Sequence, residues 1–250
     1  MQEDNDLTVH IDGELFTEFR NDRHVPCLYP LMSPDGTHLT RQFPFTEGVA
    51  GEQADHPHHI GFWFAHGSVN GHDFWHGRKG ERIVTTRLQH HGPEKHAGRE
   101  QVRFQADLEW RADDKTILTE TRIYSIMAKG ADRVIDVSCE LHASETNLVF
   151  GDTKEGSFAL RLTPTMRLKG KIAQGGITSS EGIEGAGAWG KRAKWAAFHG
   201  PDSAGTPTVA AILDHPDNLR HPTWWHARGY GLLTANPFGP KSYGDQDFEG

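Results

Sequence analysis

A strict two-residue alternation through the middle of the chain constrains the fold more than any other feature. Between residues 102 and 110, Val102, Phe104, Ala106, Leu108 and Trp110 alternate with polar side chains. Successive side chains of a strand point to opposite faces, so this pattern predicts a half-buried strand. Residues 112–115 read as a turn, and 116–127, rich in Thr, Ile and Tyr, as a second strand. After a turn at 129–132, Ile135, Val137, Cys139 and Leu141 alternate against Asp136, Ser138, Glu140 and His142. Three such strands joined by short polar turns make an antiparallel meander.

Weaker strand patterns fall at 7–11, 14–19, 60–65, 81–90, 158–162, 208–213 and 230–235, and no long amphipathic helix is visible. Residues 170–190, rich in glycine, read as a long loop, a length that is usually functional or mobile. With no linker or fixed-period repeat, residues 1–250 are expected to form one all-β domain, an antiparallel two-sheet β-sandwich with its active face at one side. A chain of 250 residues buries a core large enough to need no disulfide or metal staple. Cys27 and Cys139 are too few for a disulfide framework, and can pair or stay reduced.

A net charge of -8 leaves no basic stripe to neutralise phosphates, which argues against nucleic acid or an anionic membrane as partner. No apolar run approaches the ~18 residues of a membrane-spanning helix. The acidic start has neither a basic nor an apolar leader region. These features predict a soluble protein, cytoplasmic, or periplasmic or secreted if a signal peptide has been removed.

The unusual counts are 17 His and 7 Trp, and they cluster. Residues 55–75 hold five histidines, two tryptophans and three carboxylate or amide groups within 21 positions. Core packing does not call for His56-Pro57-His58-His59 beside Asp55. If 60–65 is a strand, His58, Phe62, Phe64 and His66 share one face and His59 and Trp63 the other. His58 and His66 then stand about 26 Å apart at ~3.3 Å per residue, so other segments must complete any site. Two further segments qualify. Residues 221–237 carry two His, two Trp, Arg228 and Tyr230, and the polar turn 151–156 carries Asp152 and Glu155. Imidazoles, a carboxylate and an arginine on loops of a rigid sheet are the parts of acid–base catalysis. By contrast, His90, His91 and His96 read as a solvated turn, His10 and His38 as incidental, and Trp110, Trp189 and Trp195 as packing residues.

These three ordered segments, Asp55 to Trp75, Gly151 to Gly156 and His221 to Gly239, resemble the soluble bacterial PmoA family. That label refers to a subunit of membrane methane monooxygenase and does not suit a chain without a membrane span. The resemblance implies a fold similar to the galactose-mutarotase supersandwich and a carbohydrate context, with a place in a pathway beside a sugar oxidoreductase. Enzymes of the mutarotase type set a histidine acid and a glutamate base around a pyranose. Carried onto this chain, the resemblance implies His58, His59, His66 and His226 as candidate acids and Glu155 as base. Members of the family continue through another strand or two, so the end at Gly250 reads as a clipped C-terminus or a short natural variant.

The expected function is proton transfer on a small-molecule carbohydrate: mutarotation, epimerisation or β-elimination from a keto-glycoside, by an isomerase, epimerase or lyase. Trp63, Trp75, Trp224 and Trp225 are candidates for an aromatic platform under the sugar ring, and Asn70, Asp73, Asp152, Arg228 and Tyr230 for hydroxyl binding. No cofactor is expected. A divalent metal is the rival use of the histidines, with His56, His58, His226 and Glu155 as its ligands in a metal-dependent glycoside hydrolase or lyase. A non-catalytic sugar-binding module is the other alternative.

Overall fold

The computed structural model describes residues 7–96, 99–144, 147–246 and 248. Strands are numbered in chain order. One sheet has seven strands in the spatial order β1 (Leu7–Ile11), β2 (Glu14–Arg20), β3 (Cys27–Leu31), β4 (Phe62–His66), β9 (Gly156–Arg161), β14 (Leu232–Asn236) and β13 (Trp224–Trp225). A second has four, β5 (Arg82–His96), β6 (Arg99–Ala112), β7 (Lys115–Lys129) and β8 (Asp132–Ala143). A third has three, β10 (Gly176–Ser179), β11 (Trp195–Pro201) and β12 (Pro207–Leu213). All named pairings are antiparallel. The protein is an all-β sandwich.

The second sheet is the meander legible in the sequence, longer at both ends than its alternation alone marks. Phe104, Ala106, Leu108 and Trp110 of β6 are buried beside Leu118, Glu120, Arg122, Tyr124 and Ile126 of β7. The turn between them places Asp113 and Asp114 at φ 48 and 60°, the backbone of a tight hairpin turn that short polar residues tolerate. This face packs on the seven-stranded sheet. Phe19 meets Phe104 and Tyr124 edge-on at 5.7 and 5.9 Å, and Phe64 meets Trp110 at 5.7 Å. Each fully buried aromatic stabilises the sandwich by about 1.5–3 kcal/mol relative to an exposed one.

Several elements differ from the sequence reading. Strand β3 carries no alternation because all five of its residues are buried, so polarity has nothing to report. Strand β11 was likewise not legible, and β10 forms inside the stretch expected to be loop. His90, His91 and His96 lie on β5, whose ladder bulges between His90 and Pro93, rather than in a turn. The strand expected at 60–65 starts only at Phe62. Gly61 bends the chain with φ 66°, where a side chain would strike the backbone of Leu28. That bend overturns the extended geometry expected for His58 and His66. Cys27 and Cys139 form no disulfide.

Alternation along β4 and β9 decides where a site can lie. Phe64 packs on the four-stranded sheet, so Trp63 and, across the ladder, Ala159 and Arg161 face the opposite side. The loops flanking β4, β9 and the β13–β14 hairpin converge over that side.

Candidate active site

A cavity of about 410 Å³ lies there, within the size range of small-molecule sites. His56, His58 and His59 enter it from the turn before β4, and His76 and Arg78 from the turn after. Lys154 and Glu155 come from the turn before β9, and His226, Arg228 and Tyr230 from the β13–β14 hairpin. A neighbouring hollow of about 640 Å³ shares His56, His58, His76 and Arg78 and adds His24.

The turn bearing the three histidines is held from below by Arg41, which is fully buried. Its Nη1 donates to the Asp55 carboxylate at 2.7 Å and to the Asp55 carbonyl at 2.8 Å, and its Nη2 to the carbonyls of His56 (2.8 Å) and His59 (3.2 Å). One planar fork thus gathers four acceptors from a short stretch, a task for which a lysine has the wrong geometry. Arg161 donates to the same Asp55 carboxylate at 3.3 Å and to Nδ1 of His59 at 3.1 Å. A guanidinium only donates, so Nδ1 of His59 accepts and its proton resides on Nε2. His59 stacks between Trp63 (5.5 Å) and His56 (4.8 Å), and His56 stacks in turn on Tyr230 (5.2 Å).

Burial holds His58, His59 and His226 neutral. Burial pushes His58 down to about 3, with His76, His56, His24 and Arg78 pushing the same way. Burial, then Arg228 and Lys154, pushes His226 down to about 3. His59 is lowered further still, by burial first and the Arg161 charge second. Neutral imidazoles at physiological pH are ready to accept a proton or to share one through a hydrogen bond. Nδ1 of His226 is buried without a hydrogen-bond partner among the described residues. Glu155, with 29% of its side chain exposed, is the lining carboxylate, and Lys154 Nζ stands 4.0 Å from it.

Of the residues singled out in the sequence, His56, His58, His59, Glu155, His226, Arg228 and Tyr230 line this cavity together. The others do different work. His66 is fully buried on the Phe64 face of β4, its Nε2 2.8 Å from the Gly151 carbonyl and its Nδ1 3.1 Å from Ser157 Oγ. Both ring nitrogens are engaged, so His66 braces the 151–156 turn that carries Glu155. Gly156 must lack a side chain because a Cβ there would overlap the His66 ring. Asp152 accepts backbone N–H groups of Lys241 (2.9 Å) and Ser242 (2.8 Å). Asn70 accepts from Val149 N at 2.7 Å and so clips two loops together. Asp73 holds Nδ1 of His76 at 2.8 Å, which orients a cavity histidine from behind.

None of the four tryptophans lines the cavity. Trp63 and Trp75 are buried beneath His59 and pack on each other at 5.1 Å. Trp224 lies under the Arg192 guanidinium at 4.5 Å, and Trp225 donates to the Ala193 carbonyl at 2.9 Å. Apolar area drew them into the core, a tendency that sequence density does not reveal. The four residues expected as metal ligands share the cavity wall, yet among the described residues no three His, Cys, Asp or Glu side chains are arranged to hold a metal ion. Sequence reasoning missed His76, Arg78 and Lys154 as cavity residues, and Arg41, Arg161 and Asp55 as its support. His76 directly follows the dense histidine segment and was within reach; isolated arginines carry no such signal.

The fold and site define an all-β sandwich protein with a histidine-lined, ligand-sized cavity on one sheet face. Residues 6–249 match a family of unknown function, DUF6807, and the chain belongs to it. No curated protein and no solved structure matches the chain. No helix among the described residues is long and apolar enough to cross a membrane.

Proposed function

We propose that this cavity binds a monosaccharide-sized carbohydrate and transfers protons on it, as a sugar isomerase, epimerase or lyase. The observation that supports this reading most is convergence. Three segments far apart in sequence deliver Glu155, His226, His58 and His59 to one space of about 410 Å³. Proton transfer at a ring needs groups on two sides of the ligand, and a wall built from separate loops supplies them. Glu155 is the base in this reading. His226 sits on the hairpin wall as the hydrogen-bonding partner that gives and takes the second proton. Tyr230 and His56, stacked on one another, offer the flat surface that the buried tryptophans do not. The reading agrees with the carbohydrate context implied by the resemblance to the soluble PmoA family and to mutarotase-like proteins.

Incubating the protein with a panel of aldoses, uronates and 3-keto-glycosides, and following anomeric and ring protons by NMR, tests the proposal. Glu155→Gln and His226→Gln are expected to lower kcat/KM by about 10²–10⁴-fold while circular dichroism is unchanged. Full activity in both variants would refute the assignment. Binding by calorimetry with no conversion of any member would favour a sugar-binding module instead.

A further inference from the structure

The cavity is electropositive in a protein that is not. Arg78, Lys154 and Arg228 line it against the carboxylate of Glu155, and burial holds His58, His59 and His226 neutral. The chain as a whole carries -8. These cations therefore do not reflect a general basic character of the surface.

Beneath the cavity the imbalance deepens. Arg41, Arg161 and Arg167 are all buried, at 0, 0 and 3% exposure. Asp55 joins the first two directly. Nε and Nη2 of Arg167 are buried with no hydrogen-bond partner among the described residues, as are the Nε atoms of Arg41 and Arg161. Arg167 touches the hairpin that bears the cavity residues, since a Cβ on Gly231 would lie 3.1 Å from its Cγ. The Arg161 guanidinium lies 4.6 Å from the Tyr230 ring, whose side chain lines the cavity. Desolvated cations that outnumber their counter-ions raise the potential of the adjoining cavity and favour an incoming anion.

We infer that the ligand of this cavity is an anionic sugar, one whose carboxylate or phosphate is held by Arg228, Lys154 and Arg78, an inference that rests on the proposed carbohydrate function. Guanidinium groups bind both anions through paired N–H donors. The anionic group anchors one end of the ring and leaves the other to Glu155 and the histidines. An anion beside the imidazoles also favours their protonated form, so binding itself raises the proton affinity of His226 and His58.

The test titrates the purified protein with glucose, glucuronate and glucose 6-phosphate, reading Kd by calorimetry and conversion by NMR on the same mixtures. At least one anionic sugar is expected to bind ~10-fold or more tightly than glucose, and to weaken as salt rises from low to high ionic strength. Arg228→Gln and Lys154→Gln, both at exposed positions, are expected to erase that preference, whereas Arg103→Gln on β6 leaves it intact. Preference for the uronate identifies a carboxylate ligand, and preference for the sugar phosphate a phosphate ligand. Glucose binding as tightly as both anions overturns the inference, and so does a failure of all three to bind. Conversion is scored separately: a neutral sugar that turns over leaves the proposed function standing without the anion, and anions that bind without conversion remove the enzyme reading but keep the charge selectivity.

Discussion

Two groups of buried charge in this protein look alike in a sequence and behave as opposites in space. Between the sheets, Glu120 and Arg122 are 2 and 1% exposed and form a two-pronged pair at 2.6 and 2.8 Å. Trp110 Nε1 donates to the same carboxylate at 2.8 Å, Arg122 Nη1 lies 3.3 Å from the Tyr124 hydroxyl, and the guanidinium lies over Phe64 at 5.4 Å. Burial disfavours the Arg122 charge, but the Glu120 charge outweighs it and holds the guanidinium firmly protonated. Below the cavity the arithmetic is different. Arg161 is pushed down to about 9 by burial and by the like charges of Arg41 and Arg167, and Asp55 offsets only part of this. The first group is closed, with each charge answered inside the core. The second is open, with donors left over beside a space that a ligand can fill. Burial of charge alone is a weak sign of function; burial with unanswered charge next to a cavity is a stronger one.

The largest effect should come from breaking the closed pair. Glu120→Ala or Arg122→Ala leaves a lone buried charge and is expected to cost about 3–5 kcal/mol in urea unfolding. Glu120→Leu with Arg122→Met should recover most of that loss. Recovery would separate the pair's net worth from the penalty of splitting it.

Asp55→Asn removes the carboxylate shared by Arg41 and Arg161. The Asp55 side chain is 35% exposed, so solvent moderates the loss to about 1–3 kcal/mol. The histidine turn should loosen, and sugar binding should weaken far more than Tm falls. A variant with unchanged affinity would show that this support does not shape the cavity.

Arg167→Met sharpens the comparison because its sign is reversed. Removing a buried cation with unpartnered nitrogens is expected to stabilise the fold by about 1 kcal/mol and to weaken anionic sugars. A destabilisation like that of Arg122→Ala would place both groups in the same structural class.

A last test reads a slope. His58 and His226 have folded-state values near 3 against an ordinary 6.5. The unfolded chain therefore binds more protons at those positions between about pH 6.5 and 3. Stability should be undiminished above 6.5 and fall as pH drops through that window. His226→Gln is expected to flatten the fall measured by thermal melts between pH 7 and 4. An unchanged slope would mean that His226 is not held neutral.

The meander, the all-β class and the three segments that meet at the cavity were legible in the chain. Period-two patterning is a local property that survives without knowing the partner strand, and His, Glu and Arg on polar turns mark themselves by type. The tryptophans misled because density does not say which way a side chain points. His66 was one residue pattern away from the cavity and on the other face of its strand.

Local patterning thus determined where the alternating strands run and which loops hold reactive groups, because alternation and turn chemistry act over a few residues. Only the tertiary structure decided which of those groups share a cavity. The bend at Gly61, the fork of Arg41 gathering Asp55, His56 and His59, and the leftover charge of Arg167 all depend on contacts between distant parts of the chain. A residue's spacing in sequence carries no record of such contacts.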